Sequence, residues 1–306
     1  MNINDNQPEG YLHPLYAQSF TNIGEPLFLP RCKGWLIKRQ IPGTFLYDAM
    51  GPYPLFFCED WQSLIDDLKA LADQLISVSF VIGPFSEIPI KTFMEYFDQF
   101  YVYKEHYIYD TNLSLTETIS KYRIRDARRA LRNLTVEHKV SPDINLVEWT
   151  NLYNHLIKRH NITGIRSFSK DCFAKQLAIP NTHYFRALLK DEIVGGNIFF
   201  IQRNVAYGHL LALTPLGYKL GASHAIKWIA IQDLSNIVRW INFGGGTSMI
   251  YKQGTGLDQF KQSWSNTKKD AYFCGKIFHN DIYHHLTDIH GLEGRNWFPS
   301  YRCNDF

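Results

Sequence analysis

The thirty residues Tyr184–Leu213, YFRALLKDEIVGGNIFFIQRNVAYGHLLAL, decide the architecture. They hold three runs rich in branched and aromatic side chains, Tyr184 to Lys190, Ile193 to Gln202 and Val205 to Leu213. Two-residue polar breaks separate them, at Asp191-Glu192 and at Arg203-Asn204. Such short breaks are hairpin turns, so the runs predict three antiparallel strands side by side.

Outward from this meander the pattern changes period. Upstream, Leu134 to Val140 alternates as a strand, and Trp149, Leu152, Tyr153, Leu156 and Ile157 recur at helical spacing. A shorter helix begins at Ser169, a good cap, and stops before Pro180. Downstream, a Gly-containing loop over Leu216 to Ala222 opens a helix running to about Ser235. Then come a strand at Ile237 to Phe243, a glycine-rich loop, a short helix at Leu257 to Trp264, a strand at Ala271 to His279 and a final helix capped by Asp281. A meander followed by a β-α-β unit gives an α/β fold, a mixed sheet with helices on both faces.

The first half is less regular. Strands are expected at Gly34 to Arg39, Thr44 to Asp48, Val78 to Ile82 and His106 to Tyr109. Helices are expected after Asp60, around Ile90 to Phe100, and from Thr116 to Asn133, the last with a basic face. We take that last helix as the bridge between two domains, 1–133 and 134–306, as a length of 306 residues allows.

Composition limits the function. Hydrophobic residues make up 45% and charged residues 20%, a globular balance. The net charge of +3 is too small for a general nucleic-acid-binding protein, DNA included, although local basic clusters could hold a phosphorylated ligand. Five cysteines without a CxxC pair suggest neither a disulfide framework nor a thiol zinc site, and point to a reducing compartment. The polar start of the chain and the lack of a long apolar run predict a cytoplasmic protein. His279, His284, His285 and His290 lack metal-ligand spacing, so no metal is expected.

Two motifs carry a resemblance. Tyr218-Lys219-Leu220-Gly221-Ala222-Ser223 lies where acyltransferases of the GNAT superfamily carry a pyrophosphate loop, although Tyr218 and Ser223 depart from its usual form. Gly244-Gly245-Gly246 followed by Asp258-Gln259-Phe260-Lys261 looks like the closing motif of the FemAB-like branch. Arg159-His160 with Ser167-Phe168, and Leu189 to Phe200, add to the likeness, which spans about Tyr47 to His285. The sequence thus resembles a pair of tandem GNAT-like domains, and the likeness implies a bacterial transferase. No heptad insertion for a helical arm is present.

The resemblance implies an N-acyltransferase that moves an acyl group from acyl-CoA, acetyl-CoA first, by direct attack of an amine. The acceptor would be a small or nucleotide-linked cell-envelope or polysaccharide precursor such as an amino sugar. An alternative donor is aminoacyl-tRNA, with a peptidoglycan precursor as acceptor. A further alternative is a degenerate pair that binds without turnover. Lys261 would steady the oxyanion, Asp258 would take the amine proton, and His209 is another candidate base set against a plain core role. Leu213, Tyr218, Lys219, Gly221, Ala222 and Ser223 would hold the cofactor, since free amides at a helix start bind phosphate. Tyr47, Asp48 and Tyr53 in the first-half loop, Arg123 and Arg125 of the basic helix, and Tyr251 would bind substrate. The dull reading of the run Lys121 to Arg132 is a solvated helix face.

Overall fold

The computed structural model describes residues 8–246, 256–289 and 297–302. In chain order the elements are α1 (Pro14–Gln18), β1 (Glu25–Leu29), β2 (Gly34–Gln40), β3 (Tyr47–Met50), α2 (Leu64–Ala70), β4 (Ser77–Ile82), α3 (Ile90–Tyr96), β5 (Gln99–Asp110), α4 (Leu115–Thr118), α5 (Lys121–Ala130), β6 (Thr135–Val140) and α6 (Leu146–His160). They continue with α7 (Lys170–Leu177), β7 (Thr182–Leu189), β8 (Glu192–Gln202), β9 (Val205–Leu213), α8 (Pro215–Leu220), α9 (Ala222–Leu234), β10 (Trp240–Gly245), α10 (Gly256–Gln262), β11 (Thr267–Ile277) and α11 (Asn280–Ile289). This is the expected α/β mixture. No helix among the described residues is long and apolar enough to cross a membrane.

Two compact units share these elements. The first holds the described residues up to His13 with Lys104–Ile162 and Ser167–Lys269; the second holds Pro14–Tyr103, Thr163–Arg166 and the chain from Asp270 onward. The division does not follow residue 133. The C-terminal half of β5 pairs with β10, and α5 packs on α9, so both belong with the later strands.

In the first unit the strand order is β5-β10-β9-β8-β7-β6. All neighbours are antiparallel except β9 and β10, whose parallel pairing requires a crossover, and α9 supplies it. The meander holds as expected, with Tyr184 facing Ile198 and Asn197 facing Leu211. Ala222, Ala225, Ile226, Ala230, Ile231 and Leu234 of α9 are buried against the sheet. Each buried Ile or Leu contributes roughly 1.5–3 kcal/mol. Small residues, Ala127 and Ala130, face α9 from α5, and a side chain on Gly221 would lie 3.7 Å from the Ala130 Cβ. The two helices therefore approach closely.

In the second unit the order is β1-β2-β3-β4-β11, with β3 and β4 parallel across α2. Aromatic side chains fill its interior, Phe56 lying 4.6 Å from Phe80 and Phe93 lying 5.3 Å from Phe97. The expected helix over Thr116 to Asn133 is two helices. Ser120 breaks the run and caps α5 by accepting the Arg123 amide.

Candidate functional site

The sheet of the first unit opens at β10. That strand pairs with β9 only from Trp240 to Asn242, opposite Val205 to Tyr207. On its other side the register with β5 shifts between Asn242 and Gly245. Gly244, at φ +81°, lies within this bulge, and Gly245 and Gly246 follow it. Side chains from three directions crowd this turn. A Cβ on Gly244 would meet the Lys261 Nζ at 3.2 Å, one on Gly245 the His106 Nε2 at 3.2 Å, and one on Gly246 the Asp258 Oδ1 at 2.2 Å. Glycine is needed here because the backbone itself is the wall of the site.

Lys261 donates from Nζ to the Gly245 carbonyl oxygen at 2.6 Å. Burial pulls its ammonium down to about 8, and Lys104 pushes the same way against Asp258. The preceding Phe260 packs edge-on against the His224 ring of α9 at 5.2 Å, which anchors α10. Asp258 also reaches Tyr107, whose hydroxyl is raised first by burial and then by that carboxylate.

His106 and Asn242 form the floor. The His106 Nδ1 lies 3.1 Å from the Asn242 Oδ1, and the Gly244 amide donates to the same oxygen at 2.8 Å. An amide N–H can only donate, so the carboxamide oxygen must face Gly244, and His106 must carry its proton on Nδ1. The remaining Asn242 Nδ2 is a buried donor with no partner. Burial, then the Lys261 charge, holds the His106 imidazole at about 3, so it is neutral with its bare Nε2 toward the turn. An orphaned donor at 1% exposure calls for an explanation, and a bound carbonyl or oxyanion is one.

Lys227 escaped the sequence reading. It projects from the apolar face of α9 and is 5% exposed. Its Nζ donates to the Asn197 Oδ1 at 2.9 Å and lies 4.3 Å from the Phe243 ring centre. Among the described residues no carboxylate is within ion-pair range of it. Burial, then Lys261, lowers it to about 7. The signal was present as a lysine inside Ala225-Ile226-Lys227-Trp228, where an outward helix face would not be apolar on both sides.

The other expected residues fall elsewhere. The segment thought to be a phosphate loop is helical. Thr214 caps α8 by accepting the Gly217 amide at 3.0 Å, and the Gly221 amide closes it onto the Gly217 and Tyr218 carbonyls. Leu213 and Ala222 are core residues at 3% and 0% exposure. Lys219 is exposed, Ser223 is half-buried, and the Tyr218 ring lies 4.0 Å under the Arg159 guanidinium. His209 accepts from the Tyr11 hydroxyl at 3.2 Å and donates to the Gln176 Oε1 at 3.2 Å. Burial drops it to about 3, and Phe200 packs 4.8 Å away. These contacts and its burial are those of a packing histidine.

In the second unit, Asp48 is completely buried. Its carboxylate takes Arg39 at 3.1 Å and also Arg302, an interior ion pair that commits it to the packing of this unit. Tyr47 is partly exposed beneath the Lys38 ammonium at 4.6 Å. The Tyr53 hydroxyl is raised by burial, against an opposing pull from Arg166. Arg123 is spent on Asp126 at 3.1 Å, whereas Arg125 is exposed beside Tyr122. Tyr251 lies outside the described residues. The His279 Nε2 contacts the Ala72 carbonyl oxygen at 2.8 Å. Among the described residues no group of three or more metal-ligating side chains converges.

No protein-family model matches the chain, and no curated protein matches it in sequence. Solved structures do. FemX superposes with a TM-score of 0.68 at 14% identity, over 93% of this chain and 98% of FemX. The C-terminal domain of a putative lysylphosphatidylglycerol synthetase from Agrobacterium fabrum gives 0.65 at 13%, over 92% and 94%. L-PGS from Bacillus licheniformis gives 0.61 at 12%, over 96% and 100%. Likeness at this identity speaks for the fold. With its two α/β units, the chain shares the fold of FemX and of these two synthetase structures.

Proposed function

We propose that the protein is an aminoacyltransferase that takes its acyl group from aminoacyl-tRNA and passes it to an amine of a cell-envelope precursor, of the peptidoglycan kind. The observation that carries this choice of donor is the superposition on FemX and on two structures of the lysylphosphatidylglycerol synthetase kind. Closure of α8 adds to it, since the Gly217 and Gly221 amides are consumed internally and a CoA diphosphate would have only those of Ala222 and Ser223 at the start of α9.

The chemistry asked of the site is modest. The acceptor nitrogen forms a bond to the ester carbonyl carbon, and the bond from that carbon to the ribose oxygen breaks. The amine proton ends on the leaving oxygen, directly or through water. Charge builds on the carbonyl oxygen in between. The Lys261 ammonium, still mostly protonated at pH 7, and the orphaned Asn242 Nδ2 are the donors available to meet it. Asp258 beside Gly246 is the carboxylate placed to relay the amine proton.

A second reading keeps acyl-CoA as donor. It is favoured by the end of the β9–β10 ladder at Tyr207 and Asn242, which leaves an opening suited to an extended pantetheine arm. Thermal denaturation with deacylated tRNA, CoA and acetyl-CoA separates the two, since a ligand of the native state raises the melting temperature. A salt-sensitive rise with tRNA alone supports aminoacyl transfer. A rise with CoA compounds alone defeats it and restores the acyl-CoA reading.

A further inference from the structure

We infer that the outward face of α5 is a docking strip for RNA backbone phosphates, which gives the proposed tRNA donor a defined place on the surface; the inference rests on that reading of the donor. Lys121, Arg125 and Arg128 recur at i, i+4 and i+7, and Arg132 follows in the next turn. This spacing sets them in one row, with Ala127 and Ala130 buried on the other side. Together with Thr116 and Ile124 the row lines a cavity of about 370 Å³.

The row's charge is unspent. Basic helix faces on ordinary surfaces interleave acids, and here the single acid of the helix, Asp126, is taken by Arg123. Among the described residues none of the four cations of the row has a carboxylate within ion-pair distance. The whole chain carries only +3, so this face concentrates a charge that the rest nearly cancels.

Shape selects the ligand. From Lys121 to Arg128 the row covers roughly 10 Å of helix axis at 1.5 Å per residue, before Arg132 extends it. A diphosphate is a compact group and engages two cations at one point, whereas a polyanion follows a row. Tyr122, 69% exposed with the Arg125 guanidinium 5.1 Å from its ring centre, adds an aromatic face beside the cations. Cations alternating with an exposed ring are what unpaired RNA bases and their backbone require.

The test is fluorescence anisotropy of labelled deacylated tRNA over a salt series, using the full chain. Arg125→Glu/Arg128→Glu should weaken binding at least tenfold, and two lost phosphate contacts should flatten the plot of log affinity against log salt by about 1.5. Lys190→Glu, on an exposed turn between β7 and β8, should bind as wild type. If the double reversal lowers the melting temperature, Arg125→Ala/Arg128→Ala replaces it. Wild-type binding that both double variants retain overturns the docking strip and leaves the donor reading intact. Displacement of the tRNA by a nucleoside-diphosphate sugar, lost in the variants, assigns the row to a small nucleotide and overturns the strip. A wild-type protein that does not bind tRNA removes the donor reading and the strip together.

Discussion

Lys261 and Gly245 are joined by a 2.6 Å hydrogen bond from the ammonium of a half-buried lysine to a backbone carbonyl, on the turn where β10 has left β9 and shifted its register with β5. The lysine is held at the turn by a bond that a developing oxyanion can replace. Lys261→Met keeps the length of the side chain and removes the charge. We expect transfer to slow by about 10²–10³ in kcat, with little change in KM for the donor. Steady-state rates with aminoacyl-tRNA would measure this, and a loss below tenfold would place the ammonium away from the reacting carbonyl.

Lys227 makes a prediction about stability and pH. Its folded value of about 7 lies below its ordinary 10.5, so the native state disfavours its charge. That cost is fully present below pH 7 and is relieved as pH rises from about 7 to 10.5, because only the unfolded chain still holds the proton in that window. Lys227→Met should therefore raise the melting temperature at pH 7, by roughly 2–6 °C. The advantage should shrink toward pH 10. A variant that melts lower than wild type at pH 7 would mean that the bond to Asn197 outweighs the buried charge.

Gly217 tests the closed helix α8. An alanine inside a helix normally stabilises by up to about 1 kcal/mol over glycine. Here its Cβ would lie 1.9 Å from the Val194 carbonyl oxygen, a contact that backbone cannot relieve cheaply. Gly217→Ala should lose more than about 2 kcal/mol in a denaturant melt. A neutral or stabilised variant would refute the packing of α8 onto β8.

Asp48 distinguishes a structural from a substrate-binding carboxylate. Asp48→Asn leaves two buried guanidinium groups, Arg39 and Arg302, without their counter-charge. The loss of stability should be about 3–5 kcal/mol. A titration of tRNA well below the melting transition should give wild-type affinity. Weakened binding at full fold retention would return Asp48 to the site.

Much of the fold was legible because local signals agreed with tertiary ones. The alternation and the polar breaks from Tyr184 to Leu213 fixed three strands, and Ser169 does cap α7, accepting from the Cys172 amide. Strand β1 was missed because Pro26 and the exposed Phe28 suit an edge strand and carry little pattern. Helix α8 is obscured in the sequence by Gly217 and Gly221, which suit a loop, although Thr214-Pro215 is a helix start. Lys261 and Asp258 were legible through a short motif. His106, Asn242 and Lys227 were not, since β5, β10 and α9 bring them near the turn from distant stretches of chain.

The pairing of β4 with β11 also bears on how the chain is made. Ser77 waits for Ile277, and Ile82 for Tyr272, to complete the ladder on that side of β4. β4 is almost wholly buried once folded. During synthesis its apolar edge therefore stays open until the chain through Ile277 has left the ribosome, and long-range pairing of this kind is slow. An unpaired strand of this composition invites association with other nascent chains. Expression of chains truncated before Thr267 should accordingly yield aggregates, however intact the residues around Lys261.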